Sequence, residues 1–153
     1  MTDKQSWMRS AQAVLRSTEE TWLSAGLALA RVYFALAILL GHALPKLGEM
    51  IAGEGHFPEL VAELGFPAPL LFAWLASLAQ VGGTLLLALG LVTRVGALMI
   101  LSTLAVGIIS VHWGDPFPVV EAGVAYLVML TVFAVCGGGR YALDRPLLAR
   151  LEA

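Results

Sequence analysis

The sequence predicts an all-α fold, an integral membrane four-helix bundle preceded by an N-terminal interfacial amphipathic helix. Of the 153 residues, 59% are hydrophobic and 13% are charged, whereas soluble domains carry roughly 25% charged residues. Four apolar segments are each close to the ~20 residues that cross a bilayer as a helix. They span about residues 22–43, 70–91, 95–113 and 119–137. A lipid bilayer is therefore the first expected partner.

The N-terminal arm, residues 1–21, places apolar side chains at helical spacing, which predicts a helix lying in the membrane interface. These side chains are Trp7, Met8, Ala11, Val14, Leu15 and Thr18, with Trp22 opening the first span. A cytoplasmic helix docked on a partner would show the same pattern. Residues 22–144 then form the transmembrane domain and residues 145–153 a cytoplasmic tail. The arm lacks the continuous apolar core of a secretory signal peptide.

The distribution of basic residues predicts the orientation of the bundle. Four spans place both termini on one side of the membrane. The basic residues of that side are Lys4, Arg9, Arg16, Arg94, Arg140, Arg145 and Arg150. Lys46 alone stands on the other side, so the positive-inside rule predicts that both termini are cytoplasmic.

The connection of residues 44–69 is the only long one, and it predicts a short helix between Pro58 and Leu64. Such a helix would form a cap on the outer side of the bundle, covering a site or docking a partner. The segment could equally be a covalent link without a further role.

Composition also excludes several classes of function. A net charge of −2 without a basic run argues against a nucleic-acid partner. The single cysteine, Cys136, cannot form an internal disulfide. No Cys/His cluster has the spacing of a structural zinc site, and a metal at His42 and His112 would need a third ligand. No metal is therefore predicted, although whether these histidines bind one stays open.

Polar residues inside the spans are the candidate functional residues, because a charge at the bilayer centre costs about 2.5–3.5 kcal/mol. Arg31 lies about halfway along the first predicted span and Gln80 about halfway along the second, so we expect them at one depth. His42 follows Arg31 after eleven residues, about three helical turns or roughly 16 Å. A stripe should therefore connect Arg31 to an outer polar ring.

That ring and the inner pair make up the predicted ligand-binding set. Its members are Arg31, Gln80, His42, Glu121, His112 and Lys46. Gln80 is the nearest expected partner of Arg31, and it would leave the guanidinium charge uncompensated. A ligand or another subunit would then supply the counter-charge. Each member has a structural alternative: a snorkelling clamp for Arg31, interfacial solvation for the histidines and dipole compensation for Glu121. No catalytic residue can be assigned.

Three motifs, taken in order, resemble the DoxX family of small four-helix bacterial membrane proteins. They are "LARVYFALAILLGHALPKL", "LAQVGGTLLLALGLVTRVGAL" and, after the fourth span, "GGGRYALD". The positions that fall on the family pattern are Arg31, Gly41, Lys46, Gly90, Thr93, Arg94, Gly139, Arg140, Tyr141 and Asp144. The resemblance runs from about Leu27 to Asp144 and implies a location in the bacterial inner membrane. The family usually carries Glu where this chain has Gln80.

The resemblance implies a redox context, since the family takes its name from a subunit associated with thiosulfate:quinone oxidoreduction. It leads to the hypothesis of a membrane subunit of a redox complex that binds a quinone or similar lipophilic ligand near Arg31 and Gln80. No haem, flavin or nucleotide motif is visible, so a partner oxidoreductase or other subunits would supply electrons. The chain would not be a complete enzyme alone. A non-catalytic membrane anchor or assembly subunit is the alternative, and a homo-oligomer is also compatible. A small transporter is weaker, because broken helices and an inverted repeat are not evident.

Overall fold

The fold consists of helices throughout the part of the chain that the structure describes. A computed structural model describes residues 2–53 and 55–151, with side chains for residues 18–53 and 55–147. The order is α1 (Thr2–Ile38), a π-helical turn (Leu39–Ala43), α2 (Leu44–Ala52), α3 (Phe57–Glu63), α4 (Pro69–Leu89), α5 (Thr93–Val111), α6 (Phe117–Cys136) and α7 (Asp144–Leu151). The predicted all-α class is confirmed.

Four helices of the described chain are long and apolar enough to cross a membrane: Thr18–Ala52, Pro69–Leu89, Thr93–Val111 and Phe117–Cys136. The last three agree with the predicted spans to within two residues at each end. Proline and glycine set several of these ends. Pro69 opens α4, where a missing N–H costs nothing, and Gly90 ends it with a left-handed φ of 69°. The protein is therefore a multi-pass membrane protein.

The first helix includes the predicted arm and extends beyond the predicted end of the first span. No break separates the arm from the first span, because α1 runs without interruption from Thr2 to Ile38 and the sequence offers no glycine or proline before Gly26. The apolar face predicted for residues 7–15 lies outside the described side chains. At the other end, the apolar helix continues past the predicted limit at Ala43 to Ala52.

The π-helical turn explains how the first span continues through a proline. Pro45 has no N–H, and its ring would collide with the carbonyl of Gly41 in a regular helix. The turn widens instead, and the N–H of Leu44 donates to the carbonyl of Leu39, five residues back. Such wide turns occur frequently at functional sites. This one carries His42.

Helix α4 is the centre of the bundle: it packs against α1, α2, α3 and α5, while α5 also packs against α6. The largest buried apolar side chains of the core are Ile38, Leu87, Ile100, Leu130 and Phe133. A Cβ on Gly83 would lie 2.8 Å from the carbonyl oxygen of Gly96. These glycines let α4 and α5 approach closely, as small residues commonly do where membrane helices pack.

The predicted short helix in the long connection is also confirmed, as α3. It packs on α4 through a second apolar cluster built around Met50, Val61 and Ala73. We refer to this side of the bundle, which also holds His42, as the histidine end. The opposite side, where α4 turns into α5 and α6 ends, is the arginine end.

Candidate functional site

Arg31 lies at the arginine end, where it is 3% exposed. Its Nη1 donates a hydrogen bond to the carbonyl of Gly138 at 2.7 Å, and its Nη2 donates to the carbonyl of Tyr141 at 3.3 Å. Both carbonyls belong to the segment between α6, which ends at Cys136, and α7. Gly90 and Gly138 make room for the guanidinium, because a Cβ at either position would collide with it. Arg31 thus joins α1 to the segment after α6.

Asp144 completes the arginine end from the first turn of α7. Its carboxylate accepts hydrogen bonds from the N–H of Thr93 at 3.1 Å, from the Thr93 hydroxyl at 2.9 Å, and from the N–H of Val92. These donors open α5, so Asp144 caps that helix from a distant part of the chain. It also supports Val92, a β-branched residue with φ of 44°.

The charge of Arg31 acts on Asp144. Burial raises the pKa of Asp144, but the hydrogen bonds from Thr93 and Val92 together with the positive charge of Arg31 outweigh it, so the pKa lies below its ordinary value. The chain itself therefore provides a negative neighbour for Arg31. We expected a ligand or another subunit to supply this negative charge, but Asp144 of the chain itself supplies it.

The predicted pairing of Arg31 with Gln80 is wrong, because the two side chains lie at different depths. Arg31 reaches Gly90 at the end of α4. The ten residues from Gln80 to Gly90 correspond to about 15 Å of helix. Part of the error comes from the length of the first span: it extends to Ala52, so its midpoint lies at Ala35, about one helical turn beyond Arg31.

A cavity of about 550 Å³ occupies the histidine end, between α2, α3, α4 and α5. Its walls are mostly apolar, with aromatic rings from the cap and from α4: Phe57, Phe66 and Phe72. The rings of Phe66 and Phe72 pack 4.9 Å apart. Ligand sites in proteins are commonly apolar cavities of about 300–1,000 Å³ with a few converging polar groups. This cavity has that character.

Four of the predicted ligand-binding residues line this cavity together: Gln80, His42, Lys46 and His112. Lys46 places its Nζ 4.9 Å from the centre of the Phe57 ring, a cation–π contact with the cap. The His42 ring lies edge-on to that of Tyr126 at 5.8 Å. His112 Nδ1 contacts the Asp115 carboxylate at 2.8 Å, which orients its ring.

Gln80 is the most deeply placed polar residue of the cavity wall, with 1% of its surface exposed. Its Nε2 lies fully buried and has no hydrogen-bond partner within the described chain. A buried donor without a partner costs about 1–3 kcal/mol. Two other buried side-chain atoms have no partner among the described residues: the Oγ of Ser77, one turn earlier on α4, and the Nε of Arg31. Neither Ser77 nor Arg31 lines the cavity.

The other two predicted residues lie elsewhere. Arg31 belongs to the arginine end, and Glu121 is exposed on α6, outside the cavity wall. Across the described residues, no group of three His, Cys, Asp or Glu side chains is placed to hold a metal ion. Cys136 is an exposed free cysteine.

Two sets of residues were not singled out from the sequence for these roles. The partners of Arg31, which are Gly138, Tyr141 and Asp144, lie in a motif that pointed to the family without indicating a contact with the first span. The cap phenylalanines carried a weaker signal, since the predicted short helix over the bundle was the sole indication of a site beneath it. Their apolar character alone does not distinguish a cavity wall from a packed core.

Comparison with known proteins supports the resemblance seen in the motifs. The family model described as DoxX matches residues 26–113, which is more than half of the chain. This range includes Arg31, Gln80 and the cavity but ends before α6 and the glycine-rich segment. The search of curated proteins gave no match, and neither did the search of solved structures. On the strength of the family match, this protein belongs to the DoxX family.

Proposed function

We propose that the protein is a membrane subunit of a redox complex that binds a quinone-class lipophilic ligand in the cavity at the histidine end. A partner oxidoreductase supplies the electrons, and the bound quinone accepts them together with protons. The role of this chain is to hold the ligand head inside the bundle, and membership of a family often associated with redox functions supports this context.

The observation that carries the proposal is the buried Nε2 of Gln80. A hydrogen-bond donor enclosed in an apolar wall without a partner is costly, and a ligand with an acceptor oxygen would remove that cost. The cavity wall adjoining this donor is apolar and includes Ala76 and Ala79 on the same helix. A lipophilic molecule with a carbonyl at its head matches both features.

The rest of the cavity wall favours a ligand that has a planar ring and a second polar end. Phe57, Phe66 and Phe72 offer aromatic surface. Lys46 and His112 offer donors for a second oxygen. Leu75 and Val106 line the cavity and are both exposed, which supports an opening of the cavity toward the surface that faces lipid. That opening suits the hydrocarbon tail of a membrane quinone.

The orientation in the membrane belongs to the same proposal. Arg94, Arg140 and Arg145 lie at the arginine end, so the positive-inside rule assigns this end to the cytoplasm of a bacterial inner membrane. The cavity then lies in the half of the membrane that faces away from the cytoplasm. Both termini, which leave from the arginine end, are cytoplasmic.

The experiment is mass spectrometry of quinones extracted from protein purified in native lipid nanodiscs. We expect a quinone enriched over the surrounding lipid with wild-type protein and lost with Gln80→Leu. Ser77→Ala is the matched control, because it removes a buried unpartnered polar atom of the same helix outside the cavity. Equal quinone content in all three proteins would contradict the proposal. A stoichiometric protein partner without any quinone would favour the anchor or assembly role.

A further inference from the structure

We infer that the ligand in the cavity at the histidine end is a lipophilic acid, bound with an ionised oxygen at its head and with Lys46 as the counter-ion. The inference rests on the proposed function and adds the charge of the second ligand oxygen, the one near Lys46. An alkylated hydroxyquinone and a long-chain carboxylic acid both have this chemistry.

The ionisable side chains that line the cavity are all basic. They are Lys46, His42 and His112, and a histidine is either neutral or positive. Among the described residues that form the wall, none has a carboxylate. Asp115 contacts His112 Nδ1 but does not itself line the cavity. An anion in the cavity would therefore have a cation beside it and no like charge in the described wall.

Lys46 forms no ion pair with any carboxylate of the described residues. Its Nζ lies 4.9 Å from the centre of the Phe57 ring, which also lines the cavity. Glu49, three residues further along α2, acts on Lys46 only from a distance. The Glu49 side chain lies against Gly55 instead, where an added Cβ would collide with it. Because an aromatic ring is a weaker partner for an ammonium group than an anion, Lys46 retains the capacity to bind one.

The rest of the wall is mostly apolar and long enough for the body of an amphiphile. It follows α4 from Phe72 to Gln80, and these eight residues correspond to about 12 Å of helix. Leu75 and Val106 line the cavity and are both exposed, which supports passage of a hydrocarbon tail toward lipid. A neutral lipophile uses these surfaces alone, whereas a lipophilic anion uses them together with Lys46.

The test compares two probes of similar shape in phosphatidylcholine nanodiscs: an alkylated hydroxynaphthoquinone, whose hydroxyl is ionised at neutral pH, and its uncharged methyl ether. The affinity of each probe is measured for wild type and for Lys46→Gln, since the ratio between the two proteins cancels the different lipid solubilities of the probes. We expect the substitution to weaken binding of the anion about fivefold and of the ether by less than about twofold. Equal weakening of both would overturn the inference and leave the proposed function intact.

Two further variants separate the charge of Lys46 from other effects. Lys46→Arg retains the positive charge and should bind the anion within about twofold of wild type. Arg94→Gln removes a positive charge at the arginine end and should also stay within about twofold. If Arg94→Gln weakened binding of the anion as much as Lys46→Gln, the net charge of the protein would explain the effect and the inference would be wrong.

Dodecanoate, which has the charge and the chain but no ring, distinguishes the two sources of the ligand. If it binds in a Lys46-dependent way while neither quinone binds, the inference holds for a carboxylic acid and the proposed function fails. If it does not bind while the hydroxynaphthoquinone depends on Lys46, the inference holds for a hydroxyquinone. If none of the three probes binds, both the inference and the proposed function fail.

Discussion

The two ends of the bundle differ in what surrounds their buried polar side chains. At the arginine end, the Arg31 guanidinium donates to two carbonyls, and glycines bring the backbone close. The charge of Asp144 acts on it from a distance, and only its Nε lacks a partner among the described residues. At the histidine end, Gln80 lines a cavity of about 550 Å³, and its buried amide nitrogen has no partner among the described residues. Buried polar side chains therefore serve two different purposes in this protein. One end is closed by the chain itself, and the other leaves room for a second molecule.

The largest expected effect comes from Arg31→Leu, which breaks the arginine end. It removes two hydrogen bonds from a charged donor and the positive neighbour of Asp144, so we expect a loss of about 3 kcal/mol in the free energy of unfolding. Quinone affinity should change by less than about twofold, because Arg31 does not line the cavity. Chemical unfolding in detergent and ligand titration measure the two quantities.

Arg94→Leu is the control for this change, since Arg94 is exposed at the same end. It should leave the free energy of unfolding within about 0.5 kcal/mol of wild type. If Arg31→Leu abolished ligand binding in protein that remains folded, the separation of the two ends would be wrong.

Gly138→Ala should have the next largest effect, because it tests the close packing at the arginine end without altering a charge. The added Cβ would meet the Thr93 hydroxyl at 2.5 Å and Arg31 Nη1 at 2.7 Å. Overpacking of this kind costs about 1–3 kcal/mol. Gly26→Ala is the matched control, since nothing lies within 4 Å of its Cβ position. Equal stability of the two variants would show that the junction is looser than described.

Asp144→Ala should cost about 1–2 kcal/mol at neutral pH, the usual value of a lost helix cap. Because the pKa of Asp144 is lower in the folded protein than its unfolded value of about 3.9, the stabilisation is present above about pH 4. It is lost as the pH falls through the folded-state pKa. The difference in unfolding free energy between wild type and variant should therefore shrink in acid. A difference independent of pH would exclude the ionised carboxylate as its source.

The helices could be predicted from the sequence, but their relative positions along the membrane normal could not. Hydropathy with proline and glycine signals identified α4, α5, α6 and the cap helix α3. Hydropathy does not determine how far one helix slides past another, so Arg31 was placed beside Gln80 although it lies near Gly90. That position depends on contacts between segments far apart in the chain.

The candidate site, like the fold, could be predicted from the sequence only in part. His42, Lys46, His112 and Gln80 were identified as polar residues in an apolar context, and the structure brings them to one cavity. Glu121 was identified on the same grounds, but it is exposed on α6 and does not line the cavity. The partners of Arg31 were present in "GGGRYALD" as a motif, and only the folded backbone shows which carbonyls are presented.

The smallest expected effect lies at the histidine end, at the contact between His112 and Asp115. Both side chains are more than 40% exposed, so Asp115→Asn should change the free energy of unfolding by less than about 0.5–1 kcal/mol. Asp115 nevertheless orients a ring that lines the cavity, and we expect quinone affinity to fall by about two- to threefold, the size of a weak exposed interaction. Isothermal titration in nanodiscs measures this change.

Glu59→Gln is the matched control for that last change. It breaks the His56 and Glu59 contact, which has the same residue spacing and a similar distance of 2.9 Å but does not line the cavity. Its effect on stability should be as small, and its effect on quinone affinity should be absent. If both variants weakened binding equally, the change would reflect the charge of the outer surface. A loss confined to Asp115→Asn would instead tie His112 to the ligand, and would extend the contrast between the two ends from Gln80 to the mouth of the cavity.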